Sequence, residues 1–149
     1  KNGNFISFNK PVSATSTWTD KNNQFAANAL NDGKFDTRWA SSDLMASVEM
    51  DLNANEAFNK ISIFEYQDTK YSKDGFSQVR IPRIQKYSVA IMKDGKWQTI
   101  FVSDQPMGDC KVIRFPVRYK TSKLRFNVIQ ASAPPSIYEL SVINMPAKN

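Results

Sequence analysis

Along most of this chain apolar residues alternate with polar ones at a spacing of two, and the three-and-four spacing of a helix is scarce. Val48, Met50 and Leu52 set the pattern in residues 47–52, Ile61 and Ile63 in 59–66, and Tyr87, Val89 and Ile91 in 86–93. Leu124, Phe126 and Val128 repeat it in 123–129. Such spacing puts one row of side chains on one face of a strand. Residues 12–17, 97–102, 111–115 and 137–143 read as further strands. Asp94-Gly95 separates two of these segments, and Asp-Gly suits a two-residue hairpin because both central residues need positive φ. The one helical candidate, 24–30, is a turn or two at best. About eight strands spaced by turns predict an all-β, antiparallel β-sandwich. No repeat or low-complexity stretch divides the chain, and 149 residues suit one domain over 1–149. Its first and last strand segments stand at its two ends, which predicts neighbouring termini, as suits a module within a larger protein.

Composition narrows the chemistry. There is no histidine, which removes the usual general base, the Ser/His and Cys/His nucleophile pairs and most zinc sites. The single cysteine, Cys110, excludes an intrachain disulfide and reads as a partly buried small hydrophobe. The net charge of +6 favours acidic partners, but the Lys and Arg residues are scattered, as on an ordinary solvated surface. No apolar run is long enough to span a membrane. The start at Lys1-Asn2-Gly3 shows no signal-peptide pattern and reads as a processed or trimmed end.

The densest chemical segment runs from Asn28 to Trp39. It gathers Asn31, Asp32, Asp36 and Thr37 around Gly33, a residue free to take positive φ and fold the chain back. Such a loop turns oxygens toward one centre, as a hard cation requires. On spacing alone an Asp/Asn-rich turn is more often only a turn, and the order of an EF-hand is missing.

The string Ala29…Asp32-Gly33…Thr37-Arg38-Trp39 resembles the hallmark of the discoidin-like (coagulation-factor C-type) domains. Lys10-Pro11-Val12-Ser13-Ala14, Val48-Glu49-Met50-Asp51-Leu52, Arg83-Ile84-Gln85-Lys86-Tyr87, Asp94-Gly95-Lys96-Trp97, Leu124-Arg125-Phe126 and Ile137-Tyr138-Glu139-Leu140 resemble further family segments in the family's order. The likeness covers nearly the whole chain and points to bacterial carbohydrate-binding modules, as appended to α-L-fucosidase-type glycoside hydrolases. It implies a jelly-roll, galactose-binding-domain-like sandwich and a non-catalytic module that targets a secreted, periplasmic or surface enzyme to its glycan. It also implies a structural calcium, held by the carbonyls of Ala29 and Lys34, the Asp32 carboxylate, Thr37 and Glu139. The implied partner is a glycan, through a terminal non-reducing sugar, bound by a monomeric module without nucleic acid or membrane.

In the relatives the ligand lies on loops at one end of the sandwich. An aromatic face stacks on a pyranose, and charged and amide groups bond its hydroxyls. The candidates here are Trp18, Ser41, Asp43, Glu65, Tyr66 and Arg83. Trp18 reads equally as a sugar platform or a lid on the core, and Arg83 with Glu65 equally as a ligand pair or a structural salt bridge. Tyr71 and Phe76 stand in the long insertion 67–82. Arg38 reads as an ion-pair partner of Asp51 or Asp36, and Trp39 as core. Many galactose-binding relatives carry a His after the Arg-Trp pair. Here Ala40 follows Trp39, which speaks against galactose.

Two other readings compete. An interaction domain for a protein or an anionic membrane would use Leu44-Met45 or Phe76 beside Lys73 as apolar spikes. A glycosidase would pair Glu65 with Asp68 or Asp43, but without any catalytic motif.

Overall fold

The computed structural model describes residues 3–20, 22, 25–53 and 56–147. They form twelve strands: β1 Asn4–Phe5, β2 Val12–Ala14, β3 Trp39–Ala40, β4 Ser47–Asp51, β5 Ala57–Glu65, β6 Asp68–Tyr71, β7 Gln78–Ile81, β8 Ile84–Lys93, β9 Lys96–Ser103, β10 Lys111–Lys120, β11 Lys123–Ala131 and β12 Ser136–Asn144. A 3-10 turn, Ala27–Asn31, stands where a helical turn over 24–30 is expected; Gln24 lies outside the described residues, as do Lys1 and Asn2. All eight expected strands are present. The four further ones are the short β1 and β3 and the ribbon β6–β7, which gives the 67–82 insertion its structure.

Two five-stranded antiparallel sheets make the sandwich. One runs β1-β12-β5-β10, with β3 also on β12; the other runs β2-β4-β11-β8-β9. The alternation read from sequence is what fills the space between them. Val48 and Met50, Ile61 and Ile63, Tyr87, Val89 and Ile91, and Leu124, Phe126 and Val128 all belong to one buried cluster. Trp39 joins it, fully buried, with its indole N–H donated to Ser16 O at 3.1 Å. The hairpin β8–β9 turns through Asp94 and Gly95, at φ 51° and 75°, as its sequence requires. Asn4 pairs with Asn144, so the two ends of the described chain meet on one sheet edge.

Irregularities fall where side chains must be re-aimed. Between β12 and β5 the register shifts at Ile137/Glu139, leaving Tyr138 as the extra residue of a bulge. Ile137 and Leu140 then both stay buried. Between β10 and β5 the shift falls between Arg114 and Tyr119, around Pro116, which has no N–H for the ladder. Cys110 differs from expectation: it is exposed, because the turn before β10 carries it outside the core.

Candidate functional site

Segments far apart in sequence meet at one end of the sandwich. Trp18, 47% exposed, stacks on Phe25 with ring centroids 4.7 Å apart and planes 28° apart. Arg38 follows: its guanidinium lies 4.6 Å from the Phe25 centroid and 3.9 Å from that of Tyr66. Arg83 continues the series, 4.9 Å from Tyr66. Tyr138, the bulge residue, lies 5.8 Å from Tyr66. Arg38 immediately precedes β3 and is half-buried, whereas Trp39 beside it is sealed in the core.

Hydrogen bonds hold the series in place. Arg38 Nη1 donates to Ser136 Oγ at 2.7 Å, and that hydroxyl donates to Trp39 O at 2.6 Å. The Tyr66 N–H donates to Ser136 O at 3.0 Å, and that of Trp18 to Ala40 O at 2.7 Å. Arg83 grips Asp68 with Nε and Nη2 at 3.0 and 2.8 Å and donates Nη1 to Pro134 O at 2.8 Å. The Asp68 carboxyl is held below its ordinary value chiefly by those Arg83 bonds. The base of the β6–β7 ribbon is therefore fastened beside the stack. Its other side is fastened by Arg80 to Asp109 at 3.3 Å and by Gln67 to the same carboxylate at 2.6 Å.

Glu65 and Arg83 are adjacent, but not as an ion pair of side chains. Glu65 Oε2 accepts the backbone N–H groups of Arg83 at 3.0 Å and Ile84 at 2.7 Å. Its other oxygen is buried with no hydrogen-bond partner among the described residues. Burial pushes the Glu65 carboxyl up to about 7, against the two amide bonds that pull it down. Both oxygens of Asp68, the other carboxylate at this corner, are taken by Arg83.

Ser41 is buried, and its hydroxyl donates to Asp43 O at 2.8 Å and accepts the Asp43 N–H at 2.9 Å. Ser16 Oγ accepts the N–H groups of Ser42 and Asp43 at 3.1 and 3.2 Å, fixing this loop beside the segment that carries Trp18. Ser41 thus shapes the loop, while the Asp43 side chain stands at the surface. Trp18 and Asp43 fall on one side of the stack, Glu65, Tyr66 and Arg83 on the other. Phe25 and Arg38 join the halves and Tyr138 flanks Tyr66; sequence reasoning did not place these three in the site. Arg38 is not the expected partner of Asp51 or Asp36, because two ring faces and a serine hydroxyl receive it instead. Its place beside an inward Trp39 was the available signal.

The second candidate site is the 32–37 loop. Asp32 accepts the Lys34 N–H at 2.9 Å and the Thr37 hydroxyl at 2.6 Å. Gly33, at φ 76°, donates its N–H to Glu139 Oε2 at 3.3 Å. That positive φ favours glycine, and a Cβ there would also push the exposed Phe8 ring, 2.9 Å away, aside. Glu139 is buried, and its Oε1 has no partner among the described residues. Burial first, and the neighbouring Asp32 charge with it, pushes its carboxyl up to about 8. It lies in the wall of an open groove of about 560 Å³ bordered by Phe5, Phe8 and Phe35. Among the described residues no cluster of three acidic, His or Cys side chains forms a metal site, so a cation here would depend on hydroxyl and carbonyl oxygens as well. Ala29 is buried at the foot of this loop and Lys34 exposed at its turn.

A family model described as the F5/8 type C domain matches residues 11–140. No curated protein sequence matches the chain. Among solved structures it is similar to SpGH29, at 23% identity and a TM-score of 0.76, over 96% of this chain and 28% of that one. It is similar to the family 32 CBM from C. perfringens NanJ, solved in complex with galactose, at 21% identity and a TM-score of 0.74, over 96% of this chain and 98% of that one. It is also similar to chitosan-binding module 1 of a chitosanase/glucanase from Paenibacillus sp. IK-5, at 18% identity and a TM-score of 0.74, over 93% and 98% of the two chains. At such identities the likeness is one of fold. The chain spans little more than a quarter of the length of SpGH29.

Proposed function

Since this chain belongs to the F5/8 type C domain family, we propose that it is a non-catalytic glycan-binding module whose binding surface is the stack Trp18–Phe25–Arg38–Tyr66–Arg83. The observation that carries this reading is the exposed Trp18 face, braced from behind by Phe25 and continued by two guanidinium groups. A flat, pre-ordered aromatic face suits the C–H side of a pyranose, and fixed N–H donors suit its hydroxyls. The neighbours' ligands support the reading in outline: a galactose complex and a chitosan-binding module share the fold. In this proposal the module belongs to a larger secreted, periplasmic or surface glycan-degrading enzyme and raises its concentration at the substrate. It takes a terminal sugar and acts as a monomer.

The proposal includes a structural calcium at the 32–37 loop. Asp32 and Glu139 would hold it with Thr37 and the carbonyls of Ala29 and Lys34. In its support, Glu139 has a buried, unpartnered oxygen beside a second carboxylate, and oxygen-only donors suit a hard cation. Bound there, the ion would neutralise the two carboxylates and tie the loop to β12.

One observation favours a second reading, an interaction domain for an anionic membrane or a protein. Phe76, at the tip of the β6–β7 ribbon, is 93% exposed and close in sequence to Lys73. A glycan array with anionic and neutral liposome controls separates the two. The expected result is glycan retention that Trp18→Ala reduces at least about tenfold. Retention of anionic liposomes without any glycan would replace the first reading by the second.

A further inference from the structure

Arg38 has more binding capacity than its surroundings use. A guanidinium carries five N–H donors. Among the described residues only Ser136 Oγ accepts from it, and no carboxylate lies within ion-pair distance. Both oxygens of Asp68, a neighbouring carboxylate, are engaged by Arg83. Yet Arg38 is part-buried, and desolvation pulls its pKa down, with the nearby Arg83 charge acting in the same direction. A partly desolvated cation with no carboxylate in contact is unfavourable, and the more distant Asp68 charge and the rings compensate for it only in part.

Phe25 and Tyr66 crowd the guanidinium, whose carbon lies 4.6 and 3.9 Å from their centroids. The N–H groups beyond the one given to Ser136 are left for a planar or tetrahedral oxyanion. Trp18 and Arg38 both pack on the Phe25 ring, so a glycan longer than one residue that lies on Trp18 can extend toward Arg38. We infer that Arg38 receives the oxyanion of an acidic sugar, a uronate carboxylate or a sulfate ester, and that the module selects acidic over neutral glycans. This rests on the stack being the glycan-binding surface. The net charge of +6 favours the same class of ligand over longer range.

The test is titration calorimetry on the 149-residue chain with three probes of equal length: an oligogalacturonate, a sulfated galactose oligosaccharide and the neutral galactose oligosaccharide. The expected result is at least about tenfold tighter binding of one acidic probe than of the neutral one, with the gap narrowing at high salt. Which acidic probe wins identifies the oxyanion. Arg38→Gln should abolish the preference, and Arg38→Lys should keep part of it. Because Arg38 also braces Ser136, the unfolding midpoint of each variant is measured beside its affinity. The unmutated chain supplies a readout independent of folding: the Arg38 Nε–H resonance should shift with the acidic probe and not with the neutral one. Equal affinity for acidic and neutral probes, or a preference that survives Arg38→Gln, overturns the inference and leaves glycan binding intact. Failure of every glycan to bind overturns both. Capture of phosphatidylserine vesicles with no acidic sugar bound overturns the inference in favour of a membrane partner.

Discussion

Glu65 and Arg83 carry opposite charges on neighbouring segments, and pairing them is the natural reading of the sequence. The structure gives each a different partner. The end of β5 meets the backbone at the start of β8, so Glu65 receives two amides, and Arg83 is left to Asp68. Charge signs are legible in a sequence, whereas the backbone donors that a fold brings to a carboxylate are not. The arrangement has a consequence for stability. The folded carboxyl titrates at about 7, well above the ordinary range it has in the unfolded chain. As pH rises from about 4.5 toward 7, the unfolded chain therefore loses this proton first, and stability falls, by on the order of 3 kcal/mol in total. Below about 4.5 that loss is absent, and above the folded pKa it is complete. Melting temperatures of the chain and of Glu65→Gln, measured across this range, should diverge in slope, with the variant flatter. Parallel slopes would rule out the buried carboxyl as the cause.

Among the elements, legibility followed burial. The eight strands read from the sequence each have at least one side in or beside the core, and in β4, β5, β8 and β11 buried apolar residues recur at every second position. The ribbon β6–β7 has no buried face: seven of its eight strand residues are exposed and the other is half-buried, so the alternation of Val79 and Ile81 with polar neighbours runs for only four residues and reports no core. β3 fails for the opposite reason, since Trp39 and Ala40 are both buried and show no alternation. The family likeness, by contrast, singled out the 32–37 loop and Glu139 together, across more than a hundred residues that no local pattern spans. If a cation joins them as proposed, chelation should lower the melting temperature by several degrees, as expected for losing a ligand bound only by the folded state. Asp32→Ala should lie low from the outset and not respond to chelator. A melting curve of the unmutated chain that is indifferent to both chelator and added calcium would remove the ion from the account.

At the scale of the whole molecule, the framework and the surface stack are separate investments of the same chain. Phe126 is fully buried between the sheets, and Phe126→Ala should cost about 3–5 kcal/mol of stability. Trp18→Ala, on a half-exposed ring, should cost no more than about 1 kcal/mol while removing the binding face. Denaturant unfolding of the two variants checks the contrast; comparable losses would mean that Trp18 is a lid on the core. The sandwich could be read from periodicity because each strand reports its own burial. The stack could be read only in part, because residues 18, 25, 38, 66 and 83 come from separate segments and only the closed sandwich brings them together. The three tryptophans end in three different surroundings. Trp39 is sealed in the core, Trp97 lies against Arg125 with the guanidinium 4.0 Å from its ring, and Trp18 lies flat on Phe25 with its other side open. The chain thus carries its own optical probe: Trp39 supplies a blue-shifted emission that solvent quenchers barely reach, whereas the red-edge, quenchable component belongs largely to Trp18 and dims or shifts when something covers that face.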